Sequence, residues 1–185
     1  MSGIETIVDT AIREKWHRGF ERERQPDTVV IHGTGGGGTY QYVLGGGRKK
    51  LYKKGIALFH YLVERDGKVI EIIDPDRWVY HSSSGKQDEK TIGIELLNHD
   101  KNNKDQYTNA QYEALFFLIF DYLCDRYSIR IIASHNRMKE KYSDGNKNCP
   151  GNFDWDLLES EMVKRGLSYD HDSKYESYWN IRGAE

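Results

Sequence analysis

Apolar positions along this chain recur with two different periods. TVVIHG at 28–33, TIGIELL at 91–97 and IRIIASH at 129–135 are short β-branched runs of strand length. FHYLVER and KVIEII face each other across Asp66-Gly67, a pairing that predicts a β-hairpin. The helical period begins at the N-terminus, where Ser2 and Glu5 have capping-box spacing and Ile4, Ile7, Val8, Ala11 and Ile12 line one face, predicting a helix within 1–17. A second capping box, Thr108 with Gln111, precedes Tyr112, Leu115, Phe116, Ile119, Phe120 and Leu123 on one face and predicts a long helix. A third helix is expected from about Trp155 to Arg165, closed by Gly166. Residues 33–55, with two glycine clusters, read as a long loop, and the polar, tyrosine-rich 167–185 as an aperiodic tail.

Hairpin and crossover connections together imply an α/β fold with a central mixed sheet flanked by helices. No repeat or linker divides the 185 residues, so one domain is expected over 1–185, with its core at about 28–166. Lys and Arg number 27 against 29 Asp and Glu, a net charge of -2, which gives no reason to expect a nucleic-acid partner. RKKLYKK at 48–54 reads as a solvated loop, although it could meet an anionic polymer. GTGGGG at 33–38 lacks the phosphate-loop pattern and is expected to let the chain bend. Glu5, Asp9 and Glu14 interrupt the N-terminus where a secretory signal needs an apolar run, so synthesis is expected in the cytoplasm. ALFFLIFDYL at 114–123 is about half the roughly 20 residues a membrane span needs and contains Asp121, so no membrane insertion is expected. A monomer is expected.

Chemistry concentrates in a few polar residues. Of the two cysteines, Cys124 lies beside Leu123 on the long helix and reads as core, whereas Cys149 sits in GNKNCPGNFDW, a polar, glycine-flanked turn. His32 and His135 each close a strand, where ligands of α/β sheets gather. Singly, either is an ordinary half-buried histidine; with Cys149 they make the two-imidazole, one-thiolate set that holds a catalytic zinc while leaving a fourth position open. Glu95, among apolar neighbours of TIGIELL, is either an edge-strand charge reaching solvent or a general base. Lys147, two residues before Cys149, is either a solvated loop lysine or the cation beside a developing oxyanion.

VVIHGTGG, FHYLVERDGKVIEIID, VYHSSSGK, TIGIELLN and ASHN…KNCPGNFDW resemble, in order, the blocks of the zinc-dependent N-acetylmuramoyl-L-alanine amidases related to peptidoglycan recognition proteins. The resemblance covers about residues 28–158 and implies that fold, one catalytic zinc on His32, His135 and Cys149, and hydrolysis of the amide between N-acetylmuramic acid and L-alanine. It implies Lys147 at the oxyanion and Glu95 as base, the latter because Phe59 stands where phage amidases carry a tyrosine. His81, similar to the W-H-A-G position, and His60 of the hairpin strand are implied substrate contacts. The implied partner is peptidoglycan or soluble muropeptides, met either in the cell wall after phage-type release or in wall recycling. Two rivals remain open at this stage: a thiol hydrolase with Cys149 as nucleophile and His135 as base, and a non-catalytic peptidoglycan-binding module.

Overall fold

A computed structural model describes residues 19–36, 59–82, 85–142, 148–172, 174 and 176–183. The expected helix at 1–17, most of the 33–55 loop and Lys147 lie outside the described residues. All five expected strands form: β2 (Thr28–Gly33), β3 (Tyr61–Val63), β4 (Val69–Glu71), β6 (Thr91–Leu96) and β7 (Ile131–Ser134). Four were not foreseen: β1 (Phe20–Glu21), β5 (Arg77–Trp78), β8 (Leu167–Asp172) and β9 (Ser177–Gly183). β1 pairs with β5 as a small antiparallel ribbon, and the other seven form one mixed sheet ordered β4-β3-β6-β2-β7-β9-β8.

The hairpin turns where the sequence places it. Gly67 adopts φ +86, and the β3–β4 turn closes through Gly67 N–H to the Glu64 carbonyl at 2.9 Å. Strands β3, β6, β2 and β7 are mutually parallel, so their C-terminal ends open on one side.

The main core lies on one face of this sheet. Val29, Ile31, Ile92, Ile94, Leu96 and Ile132 pack there against helix α1 (Asn109–Phe116), its π-helical continuation (Phe117–Leu123) with a last α turn (Cys124–Arg126), and helix α3 (Trp155–Lys164). The Thr108–Gln111 capping box is present, and Gln111 also donates to the carbonyls of Val63 and Leu97, pinning the helix start to the sheet. All six residues of the predicted stripe are buried, and Leu118 joins them. A wider π turn spreads the apolar face beyond the 3.6-residue stripe. Cys124 is exposed rather than core, because successive helical residues point about 100° apart and Leu123 takes the inward direction. Asp154 caps α3 and Gly166 ends it at φ +68, as expected.

The expected aperiodic tail instead holds two strands: Leu167–Asp172 and Ser177–Gly183 form an antiparallel hairpin that joins β7 through Ile132↔Tyr178 and Ala133↔Ser177. The signal was missing because β8 is largely solvated and its pairing uses backbone groups. Tyr178 is the anchor, fully buried, with its hydroxyl donating to the Trp155 carbonyl at 2.9 Å.

On the opposite face the packing is thin. Val30 and Ala133 meet Met138 of helix α2 (His135–Tyr142) in a small cluster, with half-buried Ile131 against it, so among the described residues the C-terminal ends of β2 and β6 on this face are left for polar groups. Helix α2 carries no apolar stripe that would announce it in the sequence; RMKEK is composed of good helix formers, and Ser134 Oγ accepts from Arg137 N–H at 3.0 Å to start it. No helix among the described residues is long and apolar enough to cross a membrane.

Candidate metal centre

His32 is the penultimate residue of β2, on the thinly packed face, and His135 is the first residue of α2, directly after β7. Their Nδ1 atoms are 2.9 Å apart. Cys149 comes from a separate turn, yet one ligand atom from each of the three lies within 4.8 Å of the others, and all three side chains are buried. Ligand atoms of a tetrahedral zinc at ordinary bond lengths are about 3.4 Å apart, so these separations bracket what such an ion needs. The donor set of two imidazoles and a thiolate also fits zinc, and the Gly33 N–H points at Cys149 Sγ from 3.4 Å, supporting the anionic sulfur that a metal requires.

Backbone contacts fix the cysteine turn. The Cys149 carbonyl accepts from Asn136 N–H at 3.1 Å, which ties the turn to the start of α2 and so sets Cys149 against His135. Tyr107 donates to the Pro150 carbonyl at 2.6 Å. Asn103, in the polar loop before α1, accepts from Gly35 N–H at 2.8 Å, donates to the Asn148 carbonyl at 3.3 Å and takes Asn152 N–H on its own carbonyl at 3.0 Å. Gly33 and Gly151 are obligatory here. A Cβ on Gly33 would lie 2.3 Å from the Tyr107 hydroxyl, and one on Gly151, at φ +76, 2.3 Å from the Asn103 carbonyl oxygen. Sequence reasoning missed Asn103 and Tyr107, since no spacing marks a loop asparagine that bridges two distant turns. Asn103 also holds φ 56. Asn103→Ala therefore loses two side-chain hydrogen bonds and strains a left-handed residue, and should lower unfolding free energy by about 2–4 kcal/mol in urea melts.

Glu95 is not an edge charge. It lies on β6, between β3 and β2, directly beside His32 in the register, and is 3% exposed. Tyr107 sits close enough to Glu95 and Cys149 to feel both charges, and burial foremost drives its phenol well above the ordinary value of 10.0. It stays a neutral hydroxyl donor.

The two other histidines are deeply placed. His81 is buried, with Nδ1 2.9 Å from His32 Nε2 and Nε2 2.6 Å from Thr91 Oγ1. His81 is therefore not a surface residue. Its ring lies over Gly93, where a Cβ would be 2.8 Å away, and burial foremost holds its imidazole below 6.5 despite the Asp88 carboxylate 3.7 Å from Nε2. His60 accepts Gly93 N–H on Nδ1 at 2.9 Å, so Nε2 carries the hydrogen and donates to the Arg77 carbonyl at 3.0 Å. Both His60 nitrogens thus serve the backbone, joining β6 to β5. Burial, then the Arg22 guanidinium, keep His60 well below 6.5. A histidine held neutral in the fold but free to protonate when unfolded adds stability that is complete above about 6.5 and drains as pH falls below it. Thermal melts between pH 8 and 5 should show this acid loss, and His60→Gln should shrink its slope.

A buried His-His-Cys triangle beside a glutamate, at the open ends of parallel strands, defines an α/β protein with a side-chain cluster that could hold a metal ion. The chain belongs to the N-acetylmuramoyl-L-alanine amidase family, whose sequence model matches residues 22–152. Solved structures with the same fold include the endolysin N-acetylmuramoyl-L-alanine amidase LysCS from Clostridium intestinale URNW, at 20% identity and TM-score 0.62 over 80% of this chain and 90% of that one. AmpD, as its selenomethionine derivative, aligns at 20% identity and TM-score 0.57, covering 78% and 90%. Drosophila peptidoglycan recognition protein SD aligns at 16% identity and TM-score 0.58, covering 80% and 90%. Comparison with curated protein sequences returned no match.

Proposed function

We propose that this chain is a zinc-dependent amidase that cleaves the bond between the lactyl group of N-acetylmuramic acid and the L-alanine of peptidoglycan stem peptides. The observation that carries this reading is the convergence of His32, His135 and Cys149 within 4.8 Å, with Glu95 in register beside His32. Family membership supports the choice of amide. Zinc held there would supply Lewis acidity toward the scissile carbonyl and lower the pKa of a water from about 15.7 toward about 7.

The chain's own residues account for the proton traffic. Glu95, buried and aimed from β6 toward the same face as His32, is placed to take the proton of the attacking water and return it to the leaving amine. Lys147, two residues before Cys149 in the sequence, would set its ammonium against the oxygen that becomes negative. His60 and His81, assigned to substrate by resemblance, instead have their nitrogens engaged within the fold, which supports a structural role for both.

The test is product analysis by mass spectrometry, using purified sacculi beside soluble muropeptides. Free stem peptides with an L-alanine amino terminus, produced by the untreated protein, lost on chelation and regained with zinc, are the expected result. Activity that survives chelation but dies with a thiol alkylator would instead establish Cys149 as a nucleophile with His135 as its base.

A further inference from the structure

The buried row His32, His81, Thr91 and Asp88 runs from the metal cluster to the 3-10 helix Gly85–Lys90, and its hydrogen bonds admit only one direction. The reasoning starts at the end away from the metal. The Asp88 backbone carbonyl can only accept, so at 3.0 Å it takes the Thr91 hydroxyl proton. The Thr91 oxygen then offers a lone pair to His81 Nε2 at 2.6 Å, and that nitrogen must carry the hydrogen. In the neutral ring this leaves His81 Nδ1 bare, facing His32 Nε2 at 2.9 Å. His32 must therefore donate from Nε2, and its Nδ1 is left with a lone pair directed toward His135 Nδ1 and the cysteine.

We propose that His81 and Thr91 form a one-way relay that locks His32 into the tautomer able to bind metal through Nδ1. His81 is thus a positioning residue, acting through His32. The proposal rests on the zinc reading above. Three features show that the relay is built into the fold. Gly93 leaves the slot in which the His81 ring lies, since any Cβ would collide with it. Arg22 donates to the carbonyls of Thr91, at 2.8 Å, and of Glu89, which fixes the junction between the 3-10 helix and β6. Asp88 takes both Ser82 N–H and the Ser82 hydroxyl on its carboxylate, holding the residue that follows His81. Partners of this kind orient a ligating ring and are worth about 10–100-fold in metal affinity.

The experiment measures zinc affinity by competition with a chromophoric chelator, independently of catalysis. His81→Phe, which keeps a ring but removes the acceptor, should weaken zinc binding about 10–100-fold. His81→Asn, whose side-chain oxygen replaces Nδ1, should stay within a few-fold of the parent. Thr91→Val should weaken binding and Thr91→Ser should restore it. In the zinc-loaded parent, 15N spectra should show His32 and His81 each protonated on Nε2 and bare on Nδ1. His81→Phe with parental affinity, or either ring in the opposite tautomer, would overturn the relay. If His81→Phe does not fold, the Thr91→Val and Thr91→Ser pair decides, with equal affinities counting against the proposal. A parent that binds no zinc would remove the functional reading itself, an outcome separate from a parent that binds zinc with or without help from His81.

Discussion

Cys149→Ser is expected to abolish release of stem peptides, with kcat/KM down by about 10³-fold or more, since even indirect partners of a metal ligand are worth about 10–100-fold. Serine replaces a soft thiolate by a hydroxyl that stays protonated at neutral pH, so the triangle with His32 and His135 loses its anionic corner. The turn itself should survive. It is held by backbone bonds from Asn136, Tyr107 and Asn103, none of which uses the sulfur. The variant should therefore melt near the zinc-free parent while retaining little metal in elemental analysis. Stem-peptide release at the parental rate by Cys149→Ser would defeat both the zinc and the thiol accounts.

Glu95→Gln carries the second large effect. The amide has the same shape but cannot take a proton, so kcat should fall by about 10²–10⁴-fold while zinc content and KM change little. The acid limb of the parent's pH profile should flatten in the variant, because the group whose protonation stops the reaction is gone. That flattening separates a base from a structural carboxylate: loss of a purely structural Glu95 would lower stability and leave the shape of the profile intact. A Glu95→Gln enzyme with near-parental kcat would sink the assignment.

Much of this site was legible in the sequence because its residues sit at the ends of strongly patterned strands. His32 and Glu95 follow from TVVIHG and TIGIELL, whose β-branched alternation fixes which side chains share a face. Cys149 was conspicuous as a thiol in a polar turn. Less was legible where backbone pairing, rather than side-chain burial, builds the structure. The β8–β9 hairpin carries few apolar residues, and α2 hides in a charged segment whose burial rests on Arg137 and Met138.

From its sequence alone the chain determined five neighbouring strands of the sheet, the capped helix that covers them and the residues with the chemistry of a metal set, because periodicity and residue type act locally. Tertiary structure alone decided what those residues do to one another. Glu95 lies in the middle of the sheet rather than at its edge because β2 and β3 both pair with β6. His81 lies under His32 because Gly93 leaves its ring a slot and Thr91 a partner. Asn103 joins turns 68 and 45 residues away because two loops without any pattern meet over the same strand ends. Hydrogen bonds between distant segments depend on distance and direction in space, and neither leaves a period in the chain.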